Sequence, residues 1–268
     1  GWRYIIIVFL AGFGTYLYLR ELGIGRWAAL WGGIAFMSAP TFLSFPNAGH
    51  YAKMTLISLF PFMLLTLERG MNRGQIWWFV GLGGLVPLGI FTPHLQMLQY
   101  ALLALGLYFL FKLYMLFRQG AQRALLAART GMFLLAIAVG LGAGAEGLIP
   151  PYLHVKTESK RAAVQDEMGR SSEEQLALAR SWSLHPEEVA SLVVPEFGGF
   201  RDPVGGANYY WGRNPMKLNS EYFGVLVILL ALVMLPDIRR RPLALFMAAQ
   251  FLLVLAFTLG SHTPVHWI

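Results

Sequence analysis

The sequence contains no cysteine, which excludes a disulfide framework and any Cys-ligated metal. It is also poor in charge. Lys, Arg, Asp and Glu make up 13% of 268 residues, against about 25% in a soluble domain. Hydrophobic residues make up 56%, and the mean hydropathy is +0.54. A single aqueous core cannot hide that much apolar surface, so the composition implies lipid as solvent. There is no P-loop, no dinucleotide-binding glycine fingerprint, no GxSxG, no HExxH and no nucleic-acid module. No strict repeat and no low-complexity tract is present. Residue 1 enters an apolar run almost at once, without the basic stretch and cleavage site of a signal peptide. With no initiating Met, and with a new segment starting at His266, the sequence reads as an internal fragment of a longer chain.

What is present is a series of apolar runs. About 20 apolar residues cross a bilayer, and on that scale about eight spanning helices are expected. They cover Tyr4–Leu19, Trp27–Phe45, Tyr51–Leu67, Ile76–Phe91, Leu95–Phe117, Thr130–Ile149, Tyr222–Leu235 and Leu243–Leu259. Pro150-Pro151 is expected to stop the sixth. The predicted fold is an all-α, polytopic transmembrane bundle. It forms a single membrane domain over 1–268, with one long loop, 150–220, between the sixth and seventh spans.

The net charge of +7 does not indicate nucleic acid, because the basic residues sit at the ends of apolar runs. Arg20 and Arg26, Arg69 and Arg73, Arg118, Arg123 and Arg129, and Arg239 to Arg241 fall in alternate loops. That is the positive-inside pattern. The long loop and both fragment ends are then expected outside, and all six histidines with them. Gly81-Leu82-Gly83-Gly84 lies inside a span and reads as a packing surface. In the loop, His154–Arg180 is expected to be helical. A short helix is expected to start at His185-Pro186, with acids in its first turn. Pro195–Pro215 is expected to be irregular.

Four groups could carry chemistry. His50 and Lys53 lie about one helical turn apart on one face, which would suit a phosphate or pyrophosphate, and equally an interfacial cap with Lys53 snorkelling to head groups. His94, Gln96 and Gln99 follow the next turn on that side, and polar groups at such depth usually face a cavity. Glu146 is an acid inside an apolar helix, with small neighbours from Gly142 to Gly147. The loop supplies His185, Glu187, Glu188, Glu196, Asp202 and Glu221, with Tyr209, Tyr210 and Trp211 at the interface. Glu187 and Glu188 read as helix-capping charge, and Glu196 and Glu221 rank above them. No spacing forms a metal motif. No cofactor is required by the sequence, although the carboxylates and histidines admit a divalent ion.

The order of several segments resembles the YfhO-type bacterial membrane proteins, within the GT-C glycosyltransferase superfamily. These segments are TYLYLRELGIGRWAALWGGIAFMSAPTF, GHYAKM with a following Pro61, PHLQMLQY, GLIPPYLHVKTESKR, SWSLHPEEVASLVVPEFGG, YYWG and NSEYFGVLVILLAL. The resemblance implies a multi-pass protein of the bacterial plasma membrane. It implies transfer of a sugar from a polyprenyl-phosphate carrier to an extracytoplasmic acceptor. The family's typical catalytic acid, in the first outer loop, would precede Gly1, which leaves Glu146, Glu196 and Glu221 as candidates here. His50, Lys53, His94, Gln96, Gln99, Tyr210 and Trp211 are the expected substrate-binding residues. The alternative is a transporter or an envelope assembly protein without catalysis. A transporter needs a polar site near the midplane, whereas these sequence features concentrate at one end.

Overall fold

In a computed structural model of the chain, described for residues 1–46, 49–92, 94–157, 183–199, 209–213 and 220–264, all regular structure is helical. The described α-helices are α1 Trp2–Glu21, α2 Arg26–Met37, α3 Pro40–Ser44, α4 Tyr51–Arg73, α5 Ile76–Ile90, α6 Leu95–Arg118, α7 Arg123–Ala143, α8 Ala145–Thr157, α9 Val225–Met234 and α10 Pro242–Thr258. Short 3-10 helices cover Pro186–Leu192, Leu235–Arg240 and Gly260–His262. Among the described residues, α1, α4, α6 and α7 are long and apolar enough to cross a membrane. A fifth span is possible if α9, its 3-10 extension and α10, which bend by 118° at their junction, count as one broken crossing. The helix at α5 is apolar but has only 15 residues, about 22 Å of rise.

Several boundaries depart from the sequence expectation, each for a local reason. The second apolar run is two helices, because Pro40 cannot continue α2 and instead opens α3. The helix expected at Thr130–Ile149 starts earlier, at Arg123, and breaks at Gly144. It restarts as α8 and runs through Pro150 and Pro151 rather than stopping there. The break falls in a glycine-rich stretch where Gly144 packs directly on Ile90, leaving no room for a side chain.

The chain divides into two compact units. The first is Gly1–Ser38 with His50–Glu158, and α4 is its hub, packing on α1, α5 and α6. Over half of the apolar window of α4 is buried (56%), against 17% for α6 and α7. The outer helices therefore leave broad apolar faces, such as Leu103, Leu110, Leu134 and Val139, on the surface. Glycine sets the closest approaches. A Cβ at Gly33 would lie 2.6 Å from the Gly12 carbonyl oxygen, and one at Gly140 would lie 2.7 Å from that of Gly83. Small residues let helix backbones meet in this way in apolar surroundings, as expected for Gly83.

One polar network crosses this unit. Glu68, on α4, is only 3% exposed. Its Oε1 accepts from Lys112 Nζ at 2.8 Å and from Asn72 Nδ2 at 2.9 Å. Its Oε2 accepts from the Tyr108 hydroxyl at 2.7 Å, and Tyr18 on α1 donates in turn to Tyr108 at 2.9 Å. Nearby, Glu21 accepts from Arg69 and Arg73, and the Arg69 guanidinium lies 4.5 Å over the Trp78 ring.

The second unit is Ala39–Gly49 with Ser159–Ile268. Its described backbone is tied by Leu184 N–H to the Thr258 carbonyl (2.8 Å), Phe223 N–H to the Leu192 carbonyl (3.1 Å) and Trp211 N–H to the Gly198 carbonyl (3.0 Å). Ser220 N–H also donates to Ser44 Oγ at 3.1 Å. The expected helix after His185 is present as a 3-10 helix with Pro186 at its start and Glu187 and Glu188 in its first turn. Of the helix expected over His154–Arg180, residues 154–157 belong to α8, and the remainder lies outside the described residues.

Breaking the Glu68–Lys112 pair from one side should be costly. Glu68→Ala or Lys112→Met is expected to lower stability by about 3–5 kcal/mol, because each strands a buried charge, whereas replacing both by Leu should cost less. Thermal or denaturant unfolding in detergent checks this. A double variant as unstable as the sum of the single variants would contradict it.

Candidate functional site

The first unit brings three of the expected residues together at the end of the bundle opposite Glu68. His50 is the residue before α4, Lys53 lies in its first turn, and His94 is the residue before α6. All three are half-buried. His94 Nδ1 accepts from the Met97 N–H at 3.4 Å. In its neutral form the ring therefore carries its proton on Nε2, which is left as a donor. Burial, then the Lys53 ammonium, then His94 hold the His50 imidazole below its ordinary pKa of 6.5. Burial and Lys53 act on His94 in the same direction. Near neutral pH the cluster thus presents one ammonium and two neutral imidazoles, an arrangement of donors suited to an anion.

From His94 the chain runs into an open groove of about 320 Å³, lined by Leu95, Leu98, Gln99, Leu102, Leu103 and Leu148. Its lining is apolar apart from Gln99, as the i, i+3, i+4, i+7 spacing on α6 dictates. The expectation of a cavity at Gln96 and Gln99 therefore divides. Gln99 lines the groove, while Gln96 is exposed and donates to the Tyr100 hydroxyl at 2.9 Å. Glu146 is exposed in the first turn of α8, two residues from Leu148, and makes no ion pair among the described residues.

The loop candidates belong to the second unit and rearrange the sequence ranking. Glu188, expected as a mere cap, is 1% exposed. It accepts from the Tyr210 hydroxyl at 2.7 Å and from the Arg213 backbone N–H at 3.2 Å. Tyr210 is thereby a buried support rather than a presented surface. Trp211 is exposed and donates to the Phe197 carbonyl at 2.9 Å. Glu196 is exposed, with a left-handed φ of 54°, and Glu221 is half-buried at the approach to α9. Glu187 is exposed and pairs with Arg213 at 3.2 Å. Its own backbone hydrogen bond, followed by Arg213 and the two imidazoles of His185 and His262, holds its carboxyl below the usual range. Asp202 lies outside the described residues.

Sequence reasoning missed the network at the arginine end of the first unit. That end carries Glu68, the most buried carboxylate among the described residues of this unit. The signal was Lys112, a lone cation inside LYFLFKLYML, four residues after Tyr108. Among the described residues, no group of three side chains is arranged to hold a metal ion. Comparison with protein families, curated proteins and solved structures finds no match to this chain.

The imidazole pKa values give a sign for pH dependence. Both are depressed on folding, so the unfolded chain takes up protons first, below about 6.5. The stability they contribute is fully present above that value and is lost as pH falls through the lower folded values. Lys53→Met should raise both titrations, but only in part, because burial is the larger cause. Histidine NMR in detergent checks this, and unmoved titrations would contradict the cluster.

Proposed function

We propose that this chain is a membrane glycosyltransferase-like protein of the bacterial plasma membrane. It moves a sugar from a polyprenyl-phosphate carrier to an extracytoplasmic acceptor, which is a cell-envelope polymer, lipid or protein. The observation that carries the reading is the junction at His94. A cationic, hydrogen-bond-donating cluster of His50, Lys53 and His94 stands at the head of an apolar groove on α6. An anionic head and a long apolar tail are the two chemistries this junction accommodates, and they are the two parts of a lipid phosphate. The resemblance to YfhO-type proteins supplies the reaction type. On this reading the histidine end faces outward, the arginine end faces the cytoplasm, and the helices make about eight crossings.

The step balances without a cofactor. A carboxylate takes the proton of the acceptor hydroxyl, and the oxygen attacks the anomeric carbon. The bond from that carbon to the phosphate oxygen breaks, and lipid phosphate leaves with the electron pair. Lys53 and the imidazole N–H groups stabilise the departing charge. Glu146, two residues from groove-lining Leu148, is the candidate base in this unit.

A transporter reading draws on the bent pair of α9 and α10, since broken helices are common in transporters. The middle of α4 argues against it. Ser58 and Thr66 spend their hydroxyls on their own helix's carbonyls, and Met54, Leu56, Met63 and Leu65 fill the rest. No polar midplane site is present there.

Replacing His50 and Lys53 together by Ala should reduce sugar transfer from polyprenyl-phosphate hexoses by roughly a hundredfold or more, with melting unchanged. It should also abolish retention of polyprenyl phosphate, but not of polyprenol, in native mass spectrometry. Retained transfer, or equal retention of both lipids by the parent protein, would sink the proposal.

A further inference from the structure

His185 and His262 are 77 residues apart in sequence, yet in the second unit His185 Nδ1 and His262 Nε2 lie 3.2 Å apart. Their ring centroids are 5.1 Å apart, with the planes at 58°. Both backbones are pinned. His185 precedes the Pro186–Leu192 helix, and its neighbour Leu184 donates to the Thr258 carbonyl at 2.8 Å. His262 closes the Gly260–His262 turn, whose far side is tied by the Thr263 hydroxyl to the Ala256 carbonyl at 2.7 Å. Gly260 has a positive φ of 51° and sits against Ser183, where a Cβ would lie 2.9 Å from the serine Cβ. The close approach of the two segments therefore needs glycine at that point.

The separation of the two nitrogens has a second meaning besides a hydrogen bond. Imidazole nitrogens bind zinc at about 2.0–2.1 Å, so two of them on a tetrahedral ion stand ~3.3–3.4 Å apart, and on an octahedral ion about 2.9 Å. The observed 3.2 Å lies between these values. The pair is also accessible, since His262 is exposed and His185 half-exposed. Glu187 interacts electrostatically with both rings.

We infer that His185 Nδ1 and His262 Nε2 chelate one divalent transition-metal ion of the zinc, nickel or copper class, leaving its other positions open. This class follows from the donors, since imidazole suits those ions and a carboxylate-poor pair does not suit magnesium or calcium. The proton arithmetic is neutral. One ring holds the bridging N–H when metal-free, and that proton moves to the ring's other nitrogen on binding, so two neutral imidazoles face the ion. Because the described residues supply no set of three ligands, water or an oxygen of a bound substrate completes the coordination. The site is independent of the His50–Lys53–His94 cluster, which contributes none of its ligands.

The test uses the full chain without a histidine tag, stripped by chelator and purified in detergent. Zn²⁺ titration by calorimetry should show one site, weakened at least about tenfold in His185→Gln and in His262→Gln, the loss that even an outer-shell partner can cause. Cu²⁺ should give an electron paramagnetic resonance spectrum with coupling to two imidazole nitrogens, reduced to one in each variant. Helicity by circular dichroism confirms folding of the variants. Absence of Zn²⁺ binding by the parent protein, or binding unchanged in the folded double variant, would overturn the inference.

Discussion

A carboxylate in an apolar bundle must be fully satisfied or the fold cannot hold it, and Glu68 meets that constraint by drawing on three helices. It sits on the hub helix α4, takes Lys112 and Tyr108 from α6, and reaches α1 through Tyr18. An unsatisfied polar group in hydrocarbon costs several kcal/mol, so sliding any of these helices by one turn would be penalised at once. The apolar contacts around it are numerous but tolerant of sliding. The network supplies the register. Contacts in the same order along the helices, Phe13 with Phe62 and Glu21 with Arg69 between α1 and α4, and Lys53 with His94 and Glu68 with Lys112 between α4 and α6, show that the three run parallel.

That parallel arrangement connects structure to chemistry. His50, Lys53 and His94 come from two turns 44 residues apart in numbering, yet they act on one another electrostatically. They meet where α4 and α6 begin, about 15 residues before Glu68, or roughly 22 Å along α4. Glycine at 33, 83 and 140 allows the neighbouring helices to close around this hub. Broad apolar faces remain on α6 and α7, as expected for helices that meet lipid rather than water.

Much of this was legible in the sequence because lipid imposes simple rules. Long apolar runs and their Arg-rich ends located α1 and α6 to within two residues and the start of α4 at Tyr51, whereas α7 begins at Arg123 and ends at Ala143, well before its expected bounds. The His50–Lys53 pair and His94 could be read from their places at helix starts. The interior polar network could not. Glu68 beside Arg69 reads as a helix end, and only its partners, 40 and 44 residues away, reveal that it is buried. Glu188 does sit in the first turn of its short helix, but its burial was not legible, since capping acids and buried acids look alike until Tyr210 is placed beside one of them. Breaks were harder still. Pro150-Pro151 looked like a stop, but the close approach of Gly144 to Ile90 decided where α7 ended.

The proposed function requires the end of the bundle that carries His50, Lys53 and His94 to face away from the cytoplasm. Because the chain has no cysteine, single cysteines report without background. Cysteines placed at Gly49, beside His50, and at Gly120, between Arg118 and Arg123, would be challenged with a membrane-impermeant maleimide in intact cells and again after permeabilisation. Position 49 is expected to label in intact cells, and position 120 only after permeabilisation. The reverse pattern, or labelling of both positions in intact cells, would contradict it.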